Sequence, residues 1–157
     1  MTPDQLTTLK AAILAETDAT FVEARNNGDT VAMAAFFNVV ATPAFHVWRS
    51  NYTAEQIASA IDAGITQMDA LTGSKRETLL WWAGRGHDMR MAASQAAIDD
   101  LTGSQQALKS ALRNGAMRAV TRGERLFASG TGSTASPGST TFEGSISPND
   151  VVNALNA

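Results

Sequence analysis

Few residues in this sequence have the chemistry to build a catalytic or metal centre. There is no cysteine, and the only two histidines are His46 and His87. No HExxH spacing places two histidines on one helix face, so a zinc site would need distant residues. Asp99 and Asp100 are paired carboxylates, but adjacent helix residues point in different directions and do not face one site. We therefore expect structural or surface histidines, a solvated helix end at Asp99-Asp100, and no bound metal.

The glycine-rich stretch from Gly130 to Ala135 superficially matches a dinucleotide-binding loop. Such a loop needs a strand before it and a helix after it, so that the phosphates meet a helix N-terminus. Here a predicted helix precedes the stretch, and Ser136-Pro137-Gly138 follows it. The sequence also contains neither a GxxxxGK[ST] phosphate loop nor a GxSxG nucleophile elbow. We predict a protein that is not an enzyme and that uses no cofactor.

The clearest electrostatic feature is a basic stripe near the carboxy-terminal third of the chain. Its members are Lys109, Arg113, Arg118, Arg122 and Arg125, accompanied by one acid, Glu124. They fall on a long helix predicted over residues 104–128, where spacings of three or four place side chains on a shared face. Such a face could be solvated, or it could meet an acidic partner or DNA. With no aromatic residue among the charges, any DNA contact would be to phosphates without sequence specificity.

Composition indicates a globular protein that is large enough to bury a core. The chain has 157 residues, of which 44% are hydrophobic, and a net charge of −3. These values argue against global disorder and against a protein that binds nucleic acid over its whole surface. No apolar run approaches the length of a membrane span, and the first residues do not resemble a signal peptide.

Helix signals dominate the sequence, so the predicted fold class is mainly α, a multi-helix bundle. Expected helix starts are Thr2, Asp18, Asp29, Thr53, Ser74 and Ser147, each a residue type that caps an N-terminus. Asn27-Gly28 is a plausible stop between two short helices. Residues 44–49 alternate in polarity and are rich in aromatic and β-branched types, which favours a short extended segment.

Trp81 and Trp82 are adjacent on a predicted helix. Aromatic pairs are most often core residues because each ring buries a large area. Two neighbouring helix residues cannot both face the same core, however. We therefore keep two interpretations open: both in the core, or one in the core and one at a subunit contact.

The predicted domain organisation is a helical domain over residues 1–128 and a flexible Ser/Thr/Gly-rich arm over residues 129–157. Within the arm we expect a spacer, a short strand over residues 140–146 and a terminal helix over residues 148–156. The strand would place Phe142 and Ile146 on one side. It could add to a neighbour's sheet edge or fold back on its own domain.

Several stretches resemble a small protein encoded among the structural genes of tailed bacteriophages. They are Arg118–Ser133, Ala135-Ser136-Pro137, Thr141–Gly144, Ala44–Arg49 and Met68–Leu71. The resemblance spans the chain and is most specific over residues 118–144. It implies a head-to-tail adaptor that docks on the portal ring, and such adaptors are helical, form rings and extend terminal arms to neighbours.

From this resemblance we predict a virion protein at the head–tail interface, made in the cytoplasm of the bacterial host. Its expected partners are its own copies in a ring, the portal protein, tail or neck proteins and passing genomic DNA, with no membrane. The predicted partner-binding residues are Arg118, Arg122, Arg125, Phe127, Phe142, Glu143 and Ile146. The alternative is a phage DNA-associated accessory protein that uses the basic helix 109–125.

Overall fold

The computed structural model describes all residues, Met1–Ala157, and its architecture is mainly α. The helices are α1 Pro3–Ala15, α2 Ala19–Asn26, α3 Thr30–Phe37, α4 Ala54–Ala63, α5 Gly73–Ala83, α6 Ala92–Thr102, α7 Gln106–Gly115, α8 Arg122–Arg125 and α9 Pro148–Asn156. The strands are β1 His46–Trp48, β2 Met117–Ala119, β3 Ala128–Ser129 and β4 Ser139–Thr140. β1 pairs with β2, and β3 pairs antiparallel with β4. The predicted fold class, with a short carboxy-terminal β segment and a terminal helix, is confirmed.

The chain folds into two compact units. Unit 1 contains residues Met1–Phe45 and Ala119–Ala157, and unit 2 contains residues His46–Arg118. This differs from the predicted division into residues 1–128 and 129–157. The physical reason is that apolar residues of the predicted arm belong to the core of unit 1, and a segment that contributes to a core is part of that domain.

Unit 1 is built from the two ends of the chain. Its buried cluster contains Leu9, Ile13, Phe21, Met33, Ala34, Phe37, Ile146, Val151 and Ala154. Helix α9 packs against α1 and α3, so the last helix completes a core that the first helices begin. Three phenylalanines, Phe21, Phe36 and Phe37, meet with ring centroids 4.7 to 5.6 Å apart. Tilted and edge-to-face ring contacts of this kind stabilise a core beyond the burial of area alone.

The helix starts of unit 1 follow from local hydrogen bonds that the sequence predicts. Thr2 and Ser147 each form a complete capping box, in which side chains at both ends satisfy backbone N–H groups. Asp18 and Asp29 cap α2 and α3 by accepting from backbone N–H groups of the first turn. Gly28, between these two helices, has φ +68°, a conformation that glycine adopts without a steric penalty. These predictions are confirmed.

Unit 2 is built from one continuous segment. Its core includes Trp48, Tyr52, Ile57, Ile61, Leu79, Trp82, Met89, Ile98, Leu108 and Leu112. Helix α7 packs against α4 and α6, and α5 packs against α6 and α4. The predicted capping box at Thr53 is confirmed. The predicted cap of α5 at Ser74 is wrong, because Thr72 lies at the N-cap and its hydroxyl accepts from the Lys75 N–H.

The single long helix predicted over residues 104–128 is also wrong. The chain forms α7, then β2, then the one-turn helix α8. Gly115 is the last residue of α7, and a Cβ there would lie 2.6 Å from the Tyr52 hydroxyl. After it, the Arg49 N–H donates to the Ala116 carbonyl, so the backbone turns to pair with β1 instead of continuing the helix. Apolar residues every four positions fit both one long helix and the observed helix–strand–helix order, so the periodicity could not distinguish them.

Candidate functional site

The basic stripe does not lie on one helix. Lys109 and Arg113, on α7, both contact the Asp99 carboxylate, at 3.5 and 2.9 Å. Asp99 therefore binds two cations of its own unit and is not the purely solvated helix end that we expected. Arg118 lies in β2, and only Arg122 and Arg125 share the short helix α8. The predicted helical face 109–125 is thus divided into separate elements.

Arg122 and Arg125 line a cleft in unit 1, which we call the arginine cleft. The cleft has a volume of about 490 Å³, and its walls include Ala12, Glu16, Asp18, Phe36, Phe37, Thr42, Arg122, Arg125 and Leu126. It thus combines two guanidinium groups, two carboxylates and apolar side chains from α1 and α3. This volume falls in the usual range for ligand pockets.

Helix α8 is short, and tertiary contacts hold it in place. Thr121 and Glu124 form a capping box at its start, and the Arg122 N–H donates to the Val39 carbonyl at 2.8 Å. A methyl group at Gly123 would lie 2.5 Å from the Ile146 Cδ1, so glycine permits the close approach of the helix to the core. The two arginines therefore project from a fixed turn.

Both guanidinium groups lie near aromatic rings. The Arg122 guanidinium carbon lies 4.1 Å from the Phe36 ring centroid, and that of Arg125 lies 5.6 Å from the Phe45 centroid. Arg125 also donates to the Pro43 carbonyl at 3.3 Å. The Arg122 guanidinium has no hydrogen-bond or ion-pair partner within the chain. Its N–H donors are therefore not used within the chain.

The two carboxylates that line the cleft already accept local hydrogen bonds. Glu16 accepts from the backbone N–H groups of Thr17 and Asp18 through one oxygen. Asp18 accepts from Thr20 and from the Phe21 N–H, also through one oxygen. The pKa of Asp18 is lowered, chiefly by the Thr20 hydroxyl, then by the Phe21 N–H, and less by the positive charge of Arg122. Each carboxylate thus keeps its second oxygen for other donors.

The predicted partner-binding residues of the arm lie in unit 1. Ile146 is only 2% exposed, and the Asn38 side chain both donates to its carbonyl and accepts from its N–H, at 2.9 and 2.8 Å. The rings of Phe127 and Phe142 are 5.3 Å apart. The Glu124 carboxylate accepts from the Gly144 N–H at 3.1 Å. The segment therefore folds back on its own domain, the second of the two arrangements that the sequence left open.

Glu143 is the one predicted site residue of the arm that is exposed. It follows the half-buried Phe142 and precedes Gly144, so its position is fixed by the contacts of its neighbours. The structure brings together Arg122 and Arg125, and separately Phe127 and Phe142. It does not assemble all seven predicted residues into one surface.

The predicted spacer forms a closed loop between β3 and β4. Ser129 and Ser139 pair across its base, and the Thr131 hydroxyl donates to the Ser136 carbonyl at 2.8 Å. Gly132, at φ +66°, packs against the Phe45 ring so closely that a Cβ would overlap the ring. The stretch from Gly130 to Ala135 thus leads towards a strand and not into a helix, which is incompatible with a dinucleotide-binding loop.

Unit 2 carries a second surface, which we call the apolar groove. Its lining includes Ala54, Ala58, Ile61, Ile65, Met68, Leu80 and Ala83, and its volume is about 470 Å³. Leu80 and the neighbouring Trp81 are 54% and 61% exposed. Trp82 is buried, and its ring stacks on His87 at a centroid distance of 4.1 Å. The tryptophan pair is therefore divided between the core and the surface.

Sequence reasoning missed several residues of these two surfaces. Phe36, Glu16 and Asp18 meet Arg122 only through folding, and no local pattern links them. For Leu80 there was a signal: four consecutive apolar residues on one helix, Leu79–Trp82, cannot all face one core.

Three further findings concern metal sites, membrane helices and known proteins. No group of three or more His, Asp or Glu side chains is arranged to hold a metal ion. No helix combines the length and the apolar character that crossing a bilayer requires. No protein-family model, curated protein or solved structure matches the chain.

Proposed function

We propose that this chain is a non-enzymatic structural protein of a tailed bacteriophage, a head-to-tail adaptor that docks on the portal ring and links the head to the tail. The observation that carries the proposal is the exposure of Leu80, which lines the apolar groove of unit 2, and of its sequence neighbour Trp81. The likeness of residues 118–144 to a phage virion protein supplies the biological setting.

An exposed apolar surface of this kind favours contact with another protein. More than half of Leu80, Trp81 and Ile65 is accessible. Leu80 and Ile65 line the groove, whose other lining residues are apolar or small except Asp62. Contiguous apolar patches mark interaction sites, and tryptophan is among the residues that contribute most to binding at interfaces. In the proposed ring, a neighbouring copy covers this surface.

An adaptor also needs contacts of more than one kind, since it meets its own copies and at least one other protein. The arginine cleft of unit 1 and the apolar groove of unit 2 differ in chemistry and lie in different units. Two such surfaces on one chain suit a protein that joins partners.

The folded-back arm changes how the ring would form. Ile146, Val151 and Ala154 are buried in the core of their own unit. Exchange of the arm between neighbours would bury the same side chains in the equivalent core of another copy, but each arm would first have to leave its own core. We assign the ring contact to the Leu80–Trp81 surface, because these side chains are exposed without any opening of the core.

The test is the assembly state of the purified protein, alone and mixed with its portal protein, measured by mass photometry and electron microscopy. We expect rings on the portal for the natural chain and their loss in a variant carrying Leu80→Ser and Trp81→Ser. Val31→Ser is the matched control, because Val31 is 65% exposed but lies on α3 in unit 1. Persistent monomers of the natural chain in both samples would contradict the proposal.

The DNA-associated alternative stays a prediction, without the continuous basic helix on which it was based. It predicts DNA binding that weakens steeply with salt and is lost when Arg118, Arg122 and Arg125 are replaced by glutamate. Such binding, together with an absence of rings, would replace the adaptor proposal.

A further inference from the structure

We propose that the arginine cleft binds a carboxylate side chain, an aspartate or glutamate presented by an acidic segment of a partner protein. The inference deepens the proposed function by giving the chemistry of one partner contact, and it rests on that function only in taking the partner to be a protein. The juxtaposition that carries it is the Arg122 guanidinium over the Phe36 ring, in a cleft that Arg125 also lines.

Arg122 has hydrogen-bond donors that the chain itself does not use. Its guanidinium has no hydrogen-bond or ion-pair partner in the chain, and the side chain is only partly exposed. A guanidinium presents its N–H groups in a planar fork that matches the two oxygens of a carboxylate. The contact with the Phe36 ring restricts where the guanidinium can lie. Binding a ligand therefore costs less side-chain conformational entropy than it would for an unrestricted arginine.

Arg125 lies one helical turn further along α8. It uses a donor on the Pro43 carbonyl, which leaves other N–H groups of the guanidinium. Two cations thus line the cleft, and the apolar side chains of Ala12 and Leu126 that line it with them provide contact for the stem of an incoming residue.

Two carboxylates in the cleft distinguish a carboxylate ligand from a nucleic acid. Glu16 and Asp18 line the same cleft and contribute two negative groups to it at neutral pH. A duplex presents a continuous row of phosphates, some of which would meet these two negative groups. A peptide presents one carboxylate to the arginines and its own N–H groups to the free oxygens of Glu16 and Asp18. Charge complementarity therefore favours an acidic peptide segment over DNA.

The experiment follows the side-chain Nε–Hε NMR signals of the arginines in the full chain. The probes are a short blocked peptide containing glutamate and aspartate, the same peptide with glutamine and asparagine, and a short DNA duplex. We expect saturable shifts of the Arg122 and Arg125 signals with the acidic peptide only. Arg122→Gln should weaken binding at least about tenfold, the factor for one charge-assisted hydrogen bond.

The matched control is Arg85→Gln. The Arg85 guanidinium carbon lies 3.6 Å from the Trp81 ring centroid, so it is also a cation on an aromatic ring, but in unit 2. Affinity for the acidic peptide should not change in this variant. Arg122→Lys, which keeps the charge and loses the fork, serves if Arg122→Gln fails to fold, and it should also bind more weakly.

Several results would overturn the inference: no saturable shift, equal binding of the amide peptide, preference for the duplex, or equal losses in the Arg85 and Arg122 variants. Because the peptide titration does not depend on ring assembly, the two proposals fail separately. Rings on the portal without peptide binding would remove only this inference. Peptide binding by a protein that never assembles would remove only the adaptor function.

Discussion

The two units of this protein are built in opposite ways. Unit 2 is one uninterrupted segment, whereas unit 1 joins the first 45 residues to the last 39. All six phenylalanines lie in unit 1, and all three tryptophans and the single tyrosine lie in unit 2. Unit 1 has eight acidic and four basic residues, a net charge of −4, and unit 2 has seven acidic and eight basic residues, a net charge of +1, which together give −3. The units therefore differ in connectivity, aromatic content and charge.

The fold of unit 1 depends on contacts between residues far apart in the sequence, whereas the fold of unit 2 depends on contacts within one segment. In unit 1, Asn38 pairs with Ile146 across 108 residues of sequence, and α9 covers helices that begin the chain. In unit 2, the whole core comes from residues 46–118. Tryptophan fluorescence consequently reports on unit 2 alone, while far-UV circular dichroism reports on both units.

The largest expected effect comes from removing residues 148–157. The truncation deletes α9 and takes Val151 and Ala154 from the core, which exposes the faces of α1 and α3 that α9 covers. We expect unit 1 to lose its folded structure while unit 2 keeps its tryptophan emission. The helical signal should fall by more than the nine residues of α9 account for. Retention of native amide signals for α1 and α3 would contradict this.

A pair of single substitutions tests the same contrast more gently. Ile146→Ala in unit 1 and Ile98→Ala in unit 2 each remove a buried side chain, 2% and 0% exposed. Each should cost about 3 kcal/mol of stability through lost burial and the remaining cavity. In chemical denaturation, Ile98→Ala should shift the tryptophan transition, and Ile146→Ala should shift only the remaining helical transition. Equal shifts of both transitions by both variants would show that the units unfold together.

Tyr52→Phe should affect unit 2 alone, in the stabilising direction. The Tyr52 hydroxyl is buried without a hydrogen-bond partner, so its removal should add about 1 kcal/mol. Burial raises the pKa of Tyr52 from 10.0 to about 12. Because the folded pKa is raised, the folded chain disfavours ionisation of Tyr52 more than the unfolded chain does. The stability that depends on a neutral Tyr52 is therefore complete below pH 10 and is lost as the pH rises through 12.

The measurement is urea denaturation followed by tryptophan fluorescence, at neutral pH and between pH 10 and pH 12. The natural chain should lose more stability over this interval than the phenylalanine variant does. Parallel losses in the two proteins would rule out Tyr52 as the source of alkaline sensitivity.

The smallest effect is expected at acid pH in unit 1, at the cap of α9. Burial by itself would raise the pKa of Asp150, but hydrogen bonds from the Ser147 side chain and N–H and the charge of the amino terminus lower it below 3.8. Because the folded pKa is lowered, the stability from this carboxylate is present above pH 3.8 and is lost as the pH falls through the folded value. Solvent screening limits it to under about 1 kcal/mol.

Asp150→Asn should therefore unfold with a weaker acid dependence than the natural chain, measured by thermal melts followed by circular dichroism. Asp88→Asn is the comparison in unit 2, where the Arg90 side chain lowers the pKa of Asp88. Its effect should be visible in tryptophan fluorescence. If both variants change the same transition, the assignment of each carboxylate to its own unit is wrong.

Many helix starts could be predicted from the sequence, but much of the candidate site could not. Thr2, Thr53 and Ser147 cap helices through residues three positions away, so their roles are legible in the sequence. Arg122 and Phe36 come together only in the folded unit 1. The sequence could nominate Arg122 as a binding residue, but it gave no sign of the ring or the carboxylates that surround it.

The sequence by itself determined the mainly α character, the capped helix starts and the terminal helix, because these depend on hydrogen bonds and apolar spacing within one turn of chain. Only the tertiary structure decided that the helix predicted over residues 104–128 breaks after Gly115 and that the arm returns to its own core. Helical periodicity records which residues are apolar but not which partner buries them. For the arm, that partner is unit 1, where Ile146, Val151 and Ala154 pack among residues of the first helices.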